Sequence, residues 1–135
     1  MRKAFLIVSA LAISAGLFGQ EDKDYQDWMK TTGATAGSLR KNLEAKNGEA
    51  AASDAKKLQE MFTKVHDFWM NKKVDGAMKF AMDAQSGFKE VGQLATAGKF
   101  DEAAATLKTT MATCGGCHSA YREKAADGSW KIKSN

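Results

Sequence analysis

The residues best suited to chemistry lie in one short segment, Cys114-Gly115-Gly116-Cys117-His118. Two cysteines three positions apart, with a histidine directly after the second, form the C-x-x-C-H pattern of covalent haem attachment. Each thiol can form a thioether with one vinyl group of haem, and the imidazole that follows can bind the iron. On a helix, positions 114, 117 and 118 share one face, so a single element can make all three bonds. The segment predicts one haem c, attached through Cys114 and Cys117, with His118 as an iron ligand.

The same cysteine pair also fits a redox dithiol, a disulfide or half of a zinc site. A thioredoxin-like dithiol follows a strand in a βαβ context, whereas the sequence before Cys114 has a helical pattern. A structural zinc site takes four ligands, and the chain has two cysteines and two histidines, His66 and His118. A helical bundle with an incidental dithiol is a further interpretation. The sequence supports no general base, nucleophile or substrate cleft, so we do not expect an enzyme.

Composition indicates the kind of protein that carries this segment. A chain of 135 residues suits a single domain with a real core. It contains no proline and many helix-forming residues, so little interrupts helices. The formal charge is +4, with basic and acidic residues interspersed. Such a surface gives no support to nucleic-acid binding.

Residues 1–19 predict a secretory signal peptide. A basic start precedes an apolar run that ends at Phe18, and the run is shorter than the ~20 residues needed to span a bilayer. Cleavage after Gly19 would leave residues 20–135 as an exported, periplasmic domain without membrane insertion. Export agrees with the haem interpretation because c-type attachment takes place after translocation.

Apolar residues recur at three- and four-residue steps through the rest of the chain, which predicts four helices. We expect these at about residues 22–46, 49–71, 75–98 and from 101 past the cysteine motif. Asn47-Gly48 is expected to end the first helix in the left-handed conformation, and Asp75 to cap the third. The predicted core positions are Tyr25, Met29, Thr32, Ala36, Leu39 and Leu43 in the first helix, Ala55, Leu58, Phe62, Val65 and Trp69 in the second, Met78, Ala81, Ala84, Phe88, Val91 and Leu94 in the third, and Ala104, Leu107, Met111, Cys114, His118 and Tyr121 in the fourth.

Long helices with short connections favour antiparallel neighbours. The predicted fold is therefore all-α, a single antiparallel four-helix bundle over residues 20–135 with haem on its last helix and a short C-terminal tail. The cysteine motif is in register with the apolar positions of that helix, so it is expected to point into the bundle.

A C-x-x-C-H motif near the end of an all-helical chain, followed by Tyr121-Arg122, resembles the class II c-type cytochromes, the cytochrome c′ and cytochrome c-556 group. The resemblance extends over about residues 25–122. It implies haem on the last helix, with the first helix crossing the opposite face of the haem. It also implies that Met29 occupies the position of the sixth iron ligand, and that Arg122 lies near the proximal imidazole or a haem propionate.

The chain departs from the family pattern in two places. Tyr25-Gln26 stands where the family often has Arg-Gln, and the tail from residue 123 to 135 extends past the usual end. For Met29, core packing beside an open iron site is the alternative to ligation. For Arg122 the alternative is a solvated charge at the helix end. His66 lies beside the apolar face of its helix and is expected to be a partly exposed side chain rather than the sixth ligand.

Two functions follow from these expectations. The leading one is a soluble electron carrier that exchanges electrons with redox partner proteins. The alternative is a five-coordinate protein of the cytochrome c′ type that binds small diatomic gases such as NO or CO. Related proteins pair through their helices, which implies a possible homodimer.

Overall fold

The computed structural model describes residues 15–133, with side chains described from residue 21 onward. The predicted signal peptide, residues 1–19, lies outside the residues whose side chains are described. The elements in chain order are helices α1 (Ala15–Glu44), α2 (Gly48–Asn71), α3 (Asp75–Thr96) and α4 (Phe100–Tyr121), then strands β1 (Arg122–Lys124) and β2 (Trp130–Ile132).

Consecutive helices pack against each other along the whole chain. α1 packs on α2, α2 on α3, and α3 on α4. Three-residue connections return each helix beside the one before it, so neighbours are antiparallel. This confirms the predicted all-α four-helix bundle. α1 and α4 contact each other only slightly, and the bundle is therefore open along the seam between its first and last helices.

The predicted apolar positions form the core of the bundle. Leu39, Leu58, Phe88 and Val91 are its largest fully buried side chains, and one of them comes from α1, one from α2 and two from α3. The prediction is wrong for Ala104, which is exposed, whereas the adjacent Ala103 is buried. Ala103, Leu107 and Thr110 are the buried residues of α4, so position 103 and not 104 lies on its buried face. Among the described residues, no helix is long and apolar enough to cross a membrane.

The three connections between helices share one conformation. Lys46, Lys73 and Gly98 have positive φ angles of 55°, 57° and 73°. In each connection the next N–H bonds back to the preceding helix; that of Asn47 donates to the carbonyl of Asn42 over 2.8 Å. These are the bonds of a Schellman motif, which satisfies the last carbonyls of a helix.

Two predicted helix ends are wrong by one residue. Lys46, and not Asn47-Gly48, takes the left-handed conformation after α1. Asn47 instead caps α2, where its side chain accepts a hydrogen bond from the N–H of Ala50 over 3.1 Å. Asp75 is the first residue of α3, after a Val74 cap that makes no side-chain hydrogen bond. The carboxylate of Asp75 still lies at the positive end of the helix dipole, where its charge is favourable.

A buried carboxylate links α1 to α2. Asp54 is buried on α2, and its Oδ2 accepts hydrogen bonds from Ser38 Oγ over 2.6 Å and from Asn42 Nδ2 over 2.9 Å. Lys57 Nζ lies 3.8 Å from the other carboxylate oxygen. Hydrogen bonds to a charged group stabilise more than neutral ones do. These bonds therefore hold the two helices in register.

We expect Asp54→Ala to lower the free energy of unfolding by about 1–3 kcal/mol, because both interhelical hydrogen bonds are lost. Asp83→Ala is the matched control. Asp83 is half-exposed on α3 and pairs with Lys79 of the same helix, so its loss should change stability by at most about 0.5 kcal/mol. Urea unfolding followed by circular dichroism measures both. Equal effects of the two substitutions would contradict the structural role of Asp54.

Candidate functional site

The seam between α1 and α4 contains two adjoining cavities. The larger has a volume of about 430 Å³ and the smaller of about 90 Å³. Tyr25 and Met29 of α1, together with Cys117 and His118 of α4, line both of them. The larger cavity extends towards strand β2, and the smaller one extends into the bundle to Phe62 and Phe80.

The structure brings the predicted site residues together around these cavities. Met29, Cys117 and His118 line both, Cys114 lines the smaller and Arg122 lines the larger. Positions 114, 117 and 118 are close in space because α4 continues unbroken through the motif to Tyr121. His66 lines neither cavity. It is partly exposed on α2, with Nδ1 3.3 Å from Asp67 Oδ1.

Aromatic side chains fix the geometry at the base of the larger cavity. The Tyr25 ring stacks on Phe68 with ring centroids 4.4 Å apart, and the indole N–H of Trp69 donates to Tyr25 Oη over 3.2 Å. Trp69 in turn packs on Tyr121 at 5.4 Å, and Tyr121 packs edge-on against Phe80 at 6.4 Å. All four helices therefore contribute to one continuous aromatic cluster. Sequence reasoning assigned Tyr25 and Trp69 to the core but not to the site.

Burial controls the ionisation of the motif. It raises the pKa of the Cys114 and Cys117 thiols to about 11, and both cysteines are free. Burial lowers the pKa of His118, and the positive charge of Arg122 lowers it further. At neutral pH the two thiols are therefore protonated. The imidazole is neutral, with a nitrogen lone pair free to bind a metal ion.

These residues fit the group that a C-x-x-C-H motif implies. Haem is flat and largely apolar and carries two carboxylates. The cavities offer two thiols, an imidazole and a thioether, set among aromatic and aliphatic side chains. They also offer a cation, because Arg122 lines the larger cavity. Its Nε is buried and has no hydrogen-bond partner within the described part of the chain. The donor set and the orphaned guanidinium nitrogen both agree with haem c.

A metal ion held by protein side chains alone would need a cluster of His, Cys, Asp or Glu residues. No cluster of three or more His, Cys, Asp or Glu side chains that could hold a metal ion occurs among the described residues. Comparison with protein-family models, with curated proteins and with solved structures found no match to this chain. The interpretation of the site therefore depends on its own geometry and on the motif.

The two glycines of the motif have different surroundings. Both stand between the two cysteines, where they carry no side chain that could obstruct a macrocycle. A Cβ atom at position 115 would meet nothing within 4 Å, whereas at position 116 it would lie 2.9 Å from Cε1 of Phe80 on α3. Gly116 therefore also permits the close approach of α3 to α4. This packing role was not visible in the sequence, because nothing local to the motif indicates that Phe80 lies against it.

A β-hairpin follows α4, where only a tail was expected. β1 and β2 are antiparallel, with Arg122 opposite Ile132. Gly128 has a φ of 82° in the turn, and Asp127 Oδ1 accepts the N–H of Ser129 over 2.9 Å. The Asp127-Gly128 pair is a hairpin signal that could have predicted this turn.

The two glycines yield a matched pair of substitutions. Gly115→Ala should raise the free energy of unfolding by about 1 kcal/mol, because alanine favours the helix and the added methyl group meets nothing. Gly116→Ala should be less stable than Gly115→Ala by about 1–3 kcal/mol, because its methyl group presses on Phe80. Urea unfolding of both variants measures the difference. Equal stabilities would show that the Phe80 ring accommodates the methyl group and that the packing does not require glycine at position 116.

Proposed function

We propose that this protein is an electron carrier with one covalently bound haem c. In this proposal Cys114 and Cys117 would form the two thioether bonds, and His118 and Met29 would supply the iron ligands. The observation that carries the proposal is the placement of Met29. It lies on the helix facing the cysteine motif, and it lines the same two cavities as His118.

The side chains of the site have separate tasks. The two thiols fix the bound group to α4, and the neutral His118 offers a lone pair to the iron. Met29 offers an uncharged thioether, and Tyr25 and Trp69 exclude water from the space between the helices. When bound, haem supplies a one-electron couple whose potential depends on its axial ligands and its burial.

The location and partners of the protein belong to the same proposal. The predicted signal peptide, residues 1–19, supports export to the periplasm or an equivalent compartment. An exported electron carrier exchanges electrons with redox partner proteins, and the resemblance to class II cytochromes supports a homodimer. No nucleic-acid partner is proposed, because the charges are interspersed along the sequence.

Covalent attachment is tested first. The unaltered protein should retain its haem through extraction with acidified organic solvent, because thioether bonds survive that treatment. A variant with both Cys114→Ala and Cys117→Ala should release whatever haem it carries. Absorption of the extracted protein and of the solvent phase measures the two fractions. Haem that leaves the unaltered protein would refute the thioether bonds.

The smaller cavity supports a second candidate function. It has a volume of about 90 Å³ beside Met29 and His118, and side chains such as Phe62, Val65 and Phe80 give it an apolar lining. If Met29 packs beside the iron without binding it, this space can admit a diatomic molecule such as NO or CO. The protein would then be a gas-binding module rather than an electron carrier.

Met29→Ala separates the two candidates. If Met29 binds the iron, the reduced unaltered protein should show the sharp bands of a low-spin haem and react slowly with CO. Met29→Ala should then be high-spin and bind CO readily, because the iron has lost a ligand. Visible spectra of the reduced proteins with and without CO measure this.

The control for this experiment is Met78→Ala. Met78 is another partly buried methionine, but it lies on α3 and lines neither cavity. Its spectra should equal those of the unaltered protein. A high-spin spectrum and immediate CO binding in the unaltered protein would overturn the electron-carrier proposal and favour the gas-binding one.

A further inference from the structure

The β-hairpin forms one wall of the larger cavity. Ser129, Trp130, Lys131 and Ile132 line this cavity together with Arg122, which begins β1. The remaining lining comes from α1, α2 and α4. The C-terminal segment is therefore a part of the candidate site rather than an appendage to the bundle.

Hydrogen bonds hold the hairpin on both sides of the seam. On the α4 side, the backbone N–H of Lys133 donates to the carbonyl of Tyr121 over 2.9 Å, and its Nζ donates to the carbonyl of Ser119 over 3.1 Å. On the α1 side, Gln26 Nε2 donates to the carbonyl of Trp130 over 3.4 Å. The hairpin thus connects the first and last helices where they contact each other only slightly.

The guanidinium of Arg122 lies against the Trp130 ring, and its Nε has no hydrogen-bond partner among the described residues. Its Cζ lies 3.8 Å from the centroid of the Trp130 ring, so the guanidinium plane is supported by the indole. Stacking satisfies the face of a guanidinium but not the N–H groups at its edge. Its Nε is buried and has no hydrogen-bond partner among the described residues. A buried charged donor without an acceptor costs free energy, and a ligand in the cavity can supply that acceptor.

We propose that the hairpin is an anion-binding wall, in which Trp130 positions the Arg122 guanidinium to receive a carboxylate of the group bound in the cavity. The inference rests on the proposed function, because haem is the group that brings carboxylates into this space. Arg122 is the binding residue, and Trp130 is a positioning residue that acts through it. A planar guanidinium matches a carboxylate through two parallel N–H···O bonds.

Other cations of the hairpin are less suited to this role. Lys131 lines the cavity, but its Nζ is 3.2 Å from Glu123 Oε1 and is already paired. Lys124 also lies over the Trp130 ring, with Nζ 5.2 Å from its centroid, but it is exposed and does not line the cavity. The positive charge of Arg122, in contrast, acts inside the cavity, where it adds to the effect of burial in lowering the pKa of His118.

The test compares Arg122→Gln, Trp130→Leu and the control Lys124→Gln in the haem-loaded full chain. The readout is the resonance Raman band of haem propionate bending, whose frequency rises when the carboxylate accepts hydrogen bonds. Arg122→Gln should lower this frequency, and Trp130→Leu should lower it by a smaller amount. Lys124→Gln removes one positive charge from the same hairpin and should leave the band unchanged.

The reduction midpoint is the second readout. Arg122→Gln should lower it, because an unpaired carboxylate favours the oxidised iron, and Arg122→Lys should restore part of the loss. If Arg122→Gln prevents folding, the comparison of Arg122→Lys with Lys124→Gln takes its place, since only the former should lower the Raman frequency.

Each outcome decides a separate claim. An unchanged Raman band in Arg122→Gln would overturn the anion-binding wall, and an unchanged band in Trp130→Leu alone would overturn the positioning role of the tryptophan. Solvent extraction of the unaltered protein distinguishes either failure from that of the proposed function. Haem that stays attached while the band does not respond refutes the hairpin inference alone. Haem that is absent or extractable refutes the covalent haem protein, and the hairpin inference with it.

Discussion

The packing of Tyr25 against α2 is the contact on which the site depends. Its ring stacks on Phe68, and its hydroxyl oxygen accepts the indole N–H of Trp69. Burial raises the pKa of Tyr25 to about 12, so the hydroxyl stays protonated and the cluster stays uncharged. These contacts fix α1 to α2, whereas α1 contacts α4 only slightly. The space that remains between α1 and α4 is the candidate site.

The position of Met29 follows from the same contact. It lies one helical turn after Tyr25, so both side chains lie on one face of α1. Across the seam, the continuous helix α4 presents Cys117 and His118 to the same cavities. Two regular helices, one docked on an aromatic cluster and the other carrying the motif, are enough to place these side chains. Neither Met29 nor the cysteine motif lies in a loop, because both are on regular helices.

Much of the bundle could be predicted because it depends on local periodicity. The spacing of Leu39, Leu58 and Phe88 along their helices predicted burial, and the structure confirms it. The spacing of Cys114, Cys117 and His118 predicted a shared face, and these residues do line adjoining cavities. The roles of these residues towards haem stay predictions.

Features that depend on contacts between distant segments could not be predicted. Lysine has no preference for the left-handed conformation, so nothing in the sequence indicated that Lys46 would adopt it after α1. The buried Asp54 was missed because its partners Ser38 and Asn42 lie on another helix. Strands of three residues give too short an alternation to recognise, so the hairpin was missed, although the Asp127-Gly128 pair is a turn signal in the sequence.

The open seam has a further consequence for local stability. α1 packs mainly on one neighbour, α2, and an element with a single large interface opens locally at a lower free energy than one held on two sides. A group bonded to α4 and in contact with Met29 would give α1 a second interface that exists only while the group is in place. Protection of the α1 amides from hydrogen exchange would then depend on the occupancy of the cavity, although none of those amides lies in the cysteine motif.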